Sequence, residues 1–191
     1  GRTLRLRLAV PGWHNRLNAL AALAAGEAAG VAPERLLPGL AAFGGVGRRF
    51  EVRGQARGVT VVDDYAHHPT EIRATIEAAR ERYPAARLWA VFQPHTYSRT
   101  REMLDDFAAA LSLADCVVLA PIYAARETDD LGVSSADIAG RIAGRPVVVV
   151  ESPAAAGEVV AADAEAGDVV LILGAGDIWK AGERLLGLLG A

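Results

Sequence analysis

Residues 59–72 read VTVVDDYAHHPTEI. A β-branched apolar run stops at two carboxylates, and Pro69 then opens a segment whose apolar positions Ile72, Ile76, Ala79 and Tyr83 recur at helical spacing. The strand-then-helix unit repeats along the chain. Leu88–Phe92 precedes a helix carrying Met103, Leu104, Phe107 and Leu111, and Cys116–Ala120 precedes one announced by Ser134 with Asp137 three residues on. Val147–Val150 leads to Ala154–Ala162, and Val169–Leu173 leads to Ile178–Leu189. Five such units in a row predict an α/β fold, a doubly wound and mostly parallel sheet with helices on both faces. The strands are continuously apolar, as expected when both faces are covered.

Upstream the pattern differs. Thr3–Val10 alternates like a strand, with Leu4, Leu6 and Leu8 opposed to Arg5 and Arg7. A chain that opens inside a strand pattern reads as a piece of a longer protein. Pro11 and Gly12 form a turn, a helix is expected from about His14 to Ala29, and a second from Pro33 to the glycines Gly44, Gly45 and Gly47. This helical remnant is too short for a core of its own, so the boundary falls in the glycine-rich segment.

Composition narrows the function classes. The 191 residues carry 20 Lys and Arg against 23 Asp and Glu, a net charge of −3, which lacks the basic footprint of a general nucleic-acid binder. Apolar residues make up 52%, a globular value, and no run approaches the ~18 residues of a membrane span. One cysteine, Cys116, allows no internal disulfide and suits a reducing compartment, so a cytoplasmic protein is expected.

In folds of this kind, ligands bind beyond the carboxyl ends of the strands. Four stretches fall there: Asp63–Glu71, Gln93–Thr100, Pro121–Glu127 and Gly174–Asp177. Adjacent Asp63 and Asp64 point in opposite directions, so one can meet a ligand hydroxyl while the other caps the turn. His67 and His68 add imidazoles, although a helix cap with a polar turn would use the same residues. His95, Tyr97, Ser98 and Arg99 leave the next strand, where the Arg99 fork and a helix N-terminus suit a carboxylate or phosphate. His14 and Asn18 share a helix face with Asn15 nearby, and amides of this kind suit a purine edge or a helix cap. Arg48 and Arg49 form either a surface pair or a phosphate clamp at a hinge.

Asp63, Asp64, His67, His68 and His95 are also chemically able to bind a divalent ion, which keeps a metal-dependent phosphoesterase open as a rival. A non-catalytic nucleotide-binding module is a second rival. Gly174-Ala175-Gly176 lacks the third glycine of a dinucleotide fingerprint, having Trp179 there, and follows the last strand, so nicotinamide binding is excluded. No phosphate loop is present, and the only lysine, Lys180, lies inside the last helix.

Five segments in order, PGWHNRLNALAA (11–22), GVGRRFE (45–51), DDYAHHPTEI (63–72), FQPHTYSRT (92–100) and GAGDI (174–178), resemble the Mur ligases of bacterial peptidoglycan synthesis. The resemblance runs almost end to end. FQPHTYSRT is similar to members that add L-alanine to UDP-N-acetylmuramate, whereas DD-aromatic-AHHP is shared with the murein tripeptide ligase. The resemblance implies residues 1–46 as the end of a central ATP-binding domain and 47–191 as a Rossmann-like C-terminal domain. It implies ATP-dependent amide formation through an acyl phosphate, with ATP and Mg2+, the phosphate loop and main metal ligands lying in upstream sequence. By the same resemblance, His14, Asn15 and Asn18 line an adenine pocket, Asp64 holds ribose hydroxyls, and Arg49 approaches the ATP phosphates. Tyr65, His67, His95 and Arg99 face the muramyl–alanine end, with His67, His95 and Arg99 as the catalytic set, and Gly174 and Gly176 let backbone approach the ligand. Thr96 stands where some relatives carry Arg. The implied partners are UDP-N-acetylmuramate, L-alanine, ATP and further domains of the same polypeptide, with neither nucleic acid nor membrane.

Overall fold

The computed structural model describes residues 3–190. Helices α1 (Trp13–Ala28) and α2 (Pro33–Ala42) precede a six-stranded sheet. The sheet comprises β1 (Glu51–Ala56), β2 (Val59–Asp64), β3 (Leu88–Phe92), β4 (Cys116–Leu119), β5 (Val147–Val149) and β6 (Val169–Leu173). Its strand order is β1-β2-β6-β3-β4-β5, with every pair parallel except β1–β2. Between the strands run α3 (Pro69–Arg82), α4 (Tyr97–Glu102), α5 (Leu104–Leu111), α6 (Ser135–Ala139) and α7 (Pro153–Asp163), and α8 (Trp179–Leu189) ends the chain.

The expected doubly wound sheet is present, and its period-2 alternation divides the core. Val62, Leu88, Ala90, Phe92, Val117, Leu119, Val169, Leu171 and Leu173 pack with α3, α5 and α6 on one face. Val61, Trp89, Val91, Val118, Val170 and Ile172 pack with α7 and α8 on the other. The strands β3, β4 and β6 are buried at every position because both faces are covered. At the opposite edge of the sheet from the site, Asp168 accepts from Arg87 Nη2 (2.7 Å), Trp89 Nε1 (2.9 Å) and Glu165 N (3.0 Å), joining β3 to β6.

Three expectations need correction. Thr3–Val10 forms no strand: residues 3–8 carry no regular secondary structure, and Leu4 is exposed. Alternation makes a strand only where a neighbour completes its hydrogen-bond ladder, and no described strand lies beside this segment. Glu51–Ala56 is instead an unforeseen edge strand, mostly polar, paired to β2 through a two-residue turn. Arg57 (φ 49°) and Gly58 (φ 80°) supply the two left-handed residues such a turn demands. The expected helix through Met103–Leu111 breaks at Met103 (φ −121°, ψ 25°), which separates α4 from α5.

The strands β2, β3, β4 and β6 run the same way, so the segments after Asp64, Phe92, Leu119 and Leu173 emerge along one edge. Among the described residues, no helix is long and apolar enough to cross a membrane.

Candidate active site

Two neighbouring features occupy that edge. The first is a cavity of about 420 Å³ between α1 and the β2–α3 turn, lined by His14, Asn15, Asn18, Arg49, Asp64 and Thr75 among others. All five residues expected at a nucleotide therefore meet at one cavity, although α1 and Asp64 are far apart in sequence. Asn15 Nδ2 donates to Pro11 O (2.7 Å), which fixes the start of α1. The two aspartates diverge as alternation requires. Asp64, 6% exposed, turns to the cavity, its Oδ2 accepting from Phe50 N (2.9 Å) and its Oδ1 from Ala66 N (2.8 Å). Burial raises its pKa, against the pull of these N–H groups and of Arg49. Asp63 is buried on the other side, where Arg48 Nε donates to it at 3.0 Å.

The second feature is a line of rings. Tyr65, His67, His95 and Tyr123 follow one another with centroid separations of 5.4, 6.0 and 5.5 Å, the last pair stacked at 20°. The guanidinium groups of Arg48 and Arg49 lie 5.1 and 5.7 Å from the Tyr65 ring, close enough for cation–π attraction. His67 Nδ1 lies 3.0 Å from Tyr65 O, and a carbonyl can only accept, so Nδ1 donates there and Nε2 is the ring nitrogen left for a ligand. Glu71 receives the backbone N–H of His67 (3.0 Å) and of His68 (3.2 Å) and sits 3.3 Å from His67 Nδ1. Burial first, then the charges of Arg99 and His67, lower the His95 pKa and favour its neutral form. His95 Nδ1, Arg99 Nη1 and Gln93 Oε1 are buried with no hydrogen-bond partner, the feature expected of groups waiting for a ligand.

Several sequence readings take a different shape here. His68 caps α3, its Nδ1 accepting from Thr70 N (3.3 Å), so it does not join the ring line. The anion on the first turn of α4 is the chain's own Glu127, which accepts from Tyr97 N, from Ser98 N (3.1 Å) and from the Ser98 hydroxyl. The space beside Gly174 and Gly176 is filled by protein. A Cβ on Gly174 would lie 3.0 Å from Gln93 O, and one on Gly176 2.5 Å from Gln93 Oε1 and 2.8 Å from the Tyr123 ring. Gln93 Nε2 donates to Asp177 Oδ1 (3.0 Å), which ties the 174–177 turn to β3.

Among the described residues, no group of three or more His, Cys, Asp or Glu side chains converges on a point that could hold a metal ion. Asp63 is neutralised by Arg48, and both Asp64 oxygens serve backbone N–H groups. The geometry thus gives the phosphoesterase rival no centre.

Sequence reasoning offered Arg48 only as half of a surface pair or phosphate clamp, and did not single out Tyr123, Glu127 or Gln93 within their stretches. Arg48 Nη2 also donates to Gly174 O (2.7 Å), 126 positions away, and its own carbonyl accepts from Tyr65 N (2.8 Å). No sequence spacing reports such a pair. For Tyr123 and Glu127 the available signal was their place after β4.

Comparisons with known proteins show what the chain is similar to. The chain is 51% identical over 183 residues to the UDP-N-acetylmuramate–L-alanine ligase of Lachnospira eligens, covering 95% of this chain and 40% of that protein. It is 52% identical over 184 residues to the protein of the same name from Mycolicibacterium gilvum, covering 95% of this chain and 38% of the relative. The chain thus spans about two fifths of the length of these relatives. Its fold matches the crystal structure of UDP-N-acetylmuramate–alanine ligase from Thermotoga maritima with a TM-score of 0.82 at 33% identity, over 97% of this chain and 40% of that one. The murein peptide ligase of Psychrobacter arcticus matches with a TM-score of 0.71 at 31% identity, over 97% of this chain and 38% of that one. The family model for the Mur ligase glutamate ligase domain matches residues 48–176, more than half of the chain, and the chain therefore belongs to the Mur ligase family.

Proposed function

We propose that this chain is the C-terminal part of an enzyme that joins L-alanine to UDP-N-acetylmuramate at the expense of ATP, in the cytoplasm. What supports this reading is the line of Tyr65, His67 and His95, with the Arg99 charge acting on His95, beside the cavity of His14, Asn15, Asn18, Arg49 and Asp64. In this reading residues 1–46 end the central domain and residues 47–191 form the closing one. The amides and imidazole of α1 meet the adenine edge, and Asp64 uses its remaining lone pairs for ribose hydroxyls. Arg49, on the other side of the cavity, faces the phosphates.

At the rim, Arg99 and His67 grip the carboxylate of alanine, and neutral His95 adds a donor or acceptor without a charge of its own. Acyl activation by phosphoryl transfer depends on positioning and on neutralising spreading negative charge, which these groups supply when the domain closes. Closure also keeps water from the activated carboxyl group. Mg2+ supplies charge neutralisation at the phosphates. With no converging ligand set among the described residues, its ligands are assigned to sequence outside this chain. Backbone approach at Gly174 and Gly176 keeps Gln93 and Tyr123 packed behind the rim.

The test uses the full-length protein: phosphate release from ATP should require both UDP-N-acetylmuramate and L-alanine. Release that ignores either substrate refutes the reading.

A further inference from the structure

We propose that Glu127 is a positioning residue of the amino-acid end of the site, holding residues 96–99 so that His95 and Arg99 turn to the same rim. The proposal rests on the ligase reading above.

The β4–α6 connection crosses to the β3 side and locks onto it at two places. Tyr123 N donates to Pro94 O (2.8 Å), Thr96 N donates to Tyr123 O (2.9 Å), and the Tyr123 ring stacks on His95. Four residues later the Glu127 carboxylate accepts from two backbone N–H groups and one hydroxyl at the start of α4. Between these locks sits Thr96, at φ 70° and ψ 141°. That conformation is strained for any residue with a Cβ, and it persists only where the surroundings hold it from both sides. Tyr123 O holds the N–H of Thr96, and Thr100, through N (3.2 Å) and Oγ1 (2.7 Å), holds its carbonyl. Thr100 can do so only while the first turn of α4 keeps its place, and the first-turn N–H groups are the ones Glu127 receives.

The consequence lies at the flanking residues. His95 precedes the strained position and Arg99 follows it, and each keeps a buried nitrogen without a partner. A relaxed chain would rotate these groups toward water or toward protein acceptors. Held as they are, both nitrogens are spared that reorganisation when a carboxylate arrives. Glu127 itself is committed to three donors of its own chain, so it acts through the backbone of α4 and not on substrate. Hydrogen bonds from the Ser98 hydroxyl, the Ser98 N–H and the Tyr97 N–H also keep the Glu127 carboxyl below the ordinary glutamate range against the opposing effect of burial, so the lock does not open near neutral pH.

The experiment compares full-length wild type with Glu127→Ala, Glu127→Gln and Ser98→Ala in steady-state phosphate release, varying L-alanine and ATP separately, with melting curves alongside. Glu127→Ala should raise KM for L-alanine about tenfold or more while leaving KM for ATP within about twofold. Glu127→Gln, which keeps one acceptor oxygen for the two N–H groups, should restore KM for L-alanine to within about threefold of wild type. If Glu127→Ala does not fold, Ser98→Ala carries the same test through a smaller rise in the same constant. An unmoved KM for L-alanine, or equal rises for both substrates without rescue by Gln, overturns the proposal. Wild type that ignores L-alanine overturns the ligase reading along with it, so the two failures are distinguishable.

Discussion

Arg99→Ala separates binding from folding more sharply than any other single change. The Arg99 guanidinium is half-buried and its Nη1 has no partner in the protein, so the fold draws no hydrogen bond from that nitrogen. A charge-assisted bond from it to the alanine carboxylate is worth about 1.5–3 kcal/mol. At about 1.36 kcal/mol per factor of ten, truncation should lower kcat/KM for L-alanine about 10- to 150-fold. Stability should move the other way or stay put. The variant removes a desolvated donor that nothing satisfies, and alanine is a good helix residue in α4. The melting temperature should therefore stay within about 2 °C of wild type or rise. The assay is phosphate release by the full-length protein at varied L-alanine, with a thermal melt of the same preparation. A change in kcat/KM below twofold, or an activity loss matched by a fall in melting temperature, refutes the reasoning.

Gly176→Ala should push the Tyr123 ring off His95, since the new Cβ would meet Gln93 Oε1 at 2.5 Å and that ring at 2.8 Å. An overpacking cost of about 1–3 kcal/mol in denaturant melts and a raised KM for L-alanine are expected; unchanged values would show that the turn yields freely. Asp168→Ala leaves Trp89 Nε1 and Glu165 N without their acceptor, while the partly exposed Arg87 keeps Asp163 O, and should cost about 1–3 kcal/mol of stability. Burial works against the Asp168 carboxylate, but Arg87, Glu165 N and Trp89 together hold its pKa below the ordinary value. Its contribution is therefore present above about pH 4 and fades as pH falls through the folded value, so the gap between wild type and variant should narrow in acid. For His95 the folded pKa is lowered, so the unfolded chain takes up a proton first and wild type loses stability as pH falls through about 6.5. His95→Gln should flatten melting temperature between about pH 7.5 and pH 5.5, and an unchanged slope would contradict the assignment.

The fold was legible where a local signal carried it. Apolar runs at Val59, Leu88, Cys116 and Val169 are strands because a sheet covered on both faces needs unbroken hydrophobic chain, and they are buried accordingly. Pro33, Pro69 and Pro153 open helices where a missing N–H costs nothing. The two strand misses share one cause. Thr3–Val10 has the alternation of a strand and no neighbour to complete it, whereas Glu51–Ala56 has little alternation and a neighbour across a two-residue turn. Pairing decides a strand, and pairing is not local.

The same division runs through the site. The resemblance selected Tyr65, His67, His95 and Arg99; their place at strand carboxyl ends alone left a cap or turn equally open, and a cap is the use His68 has. Their supports came only with three dimensions: Arg48 on Gly174 O, Gln93 on Asp177, Tyr123 on His95 and Glu127 on the first turn of α4. By itself the amino-acid order determined the layers, the helix starts and the chemical groups offered at one edge, since these follow from hydrophobic period, capping and side-chain chemistry. Which groups meet was decided by the tertiary structure alone. Contacts between residues 28 to 126 positions apart depend on how the parallel strands bring their ends together, and no local pattern encodes that.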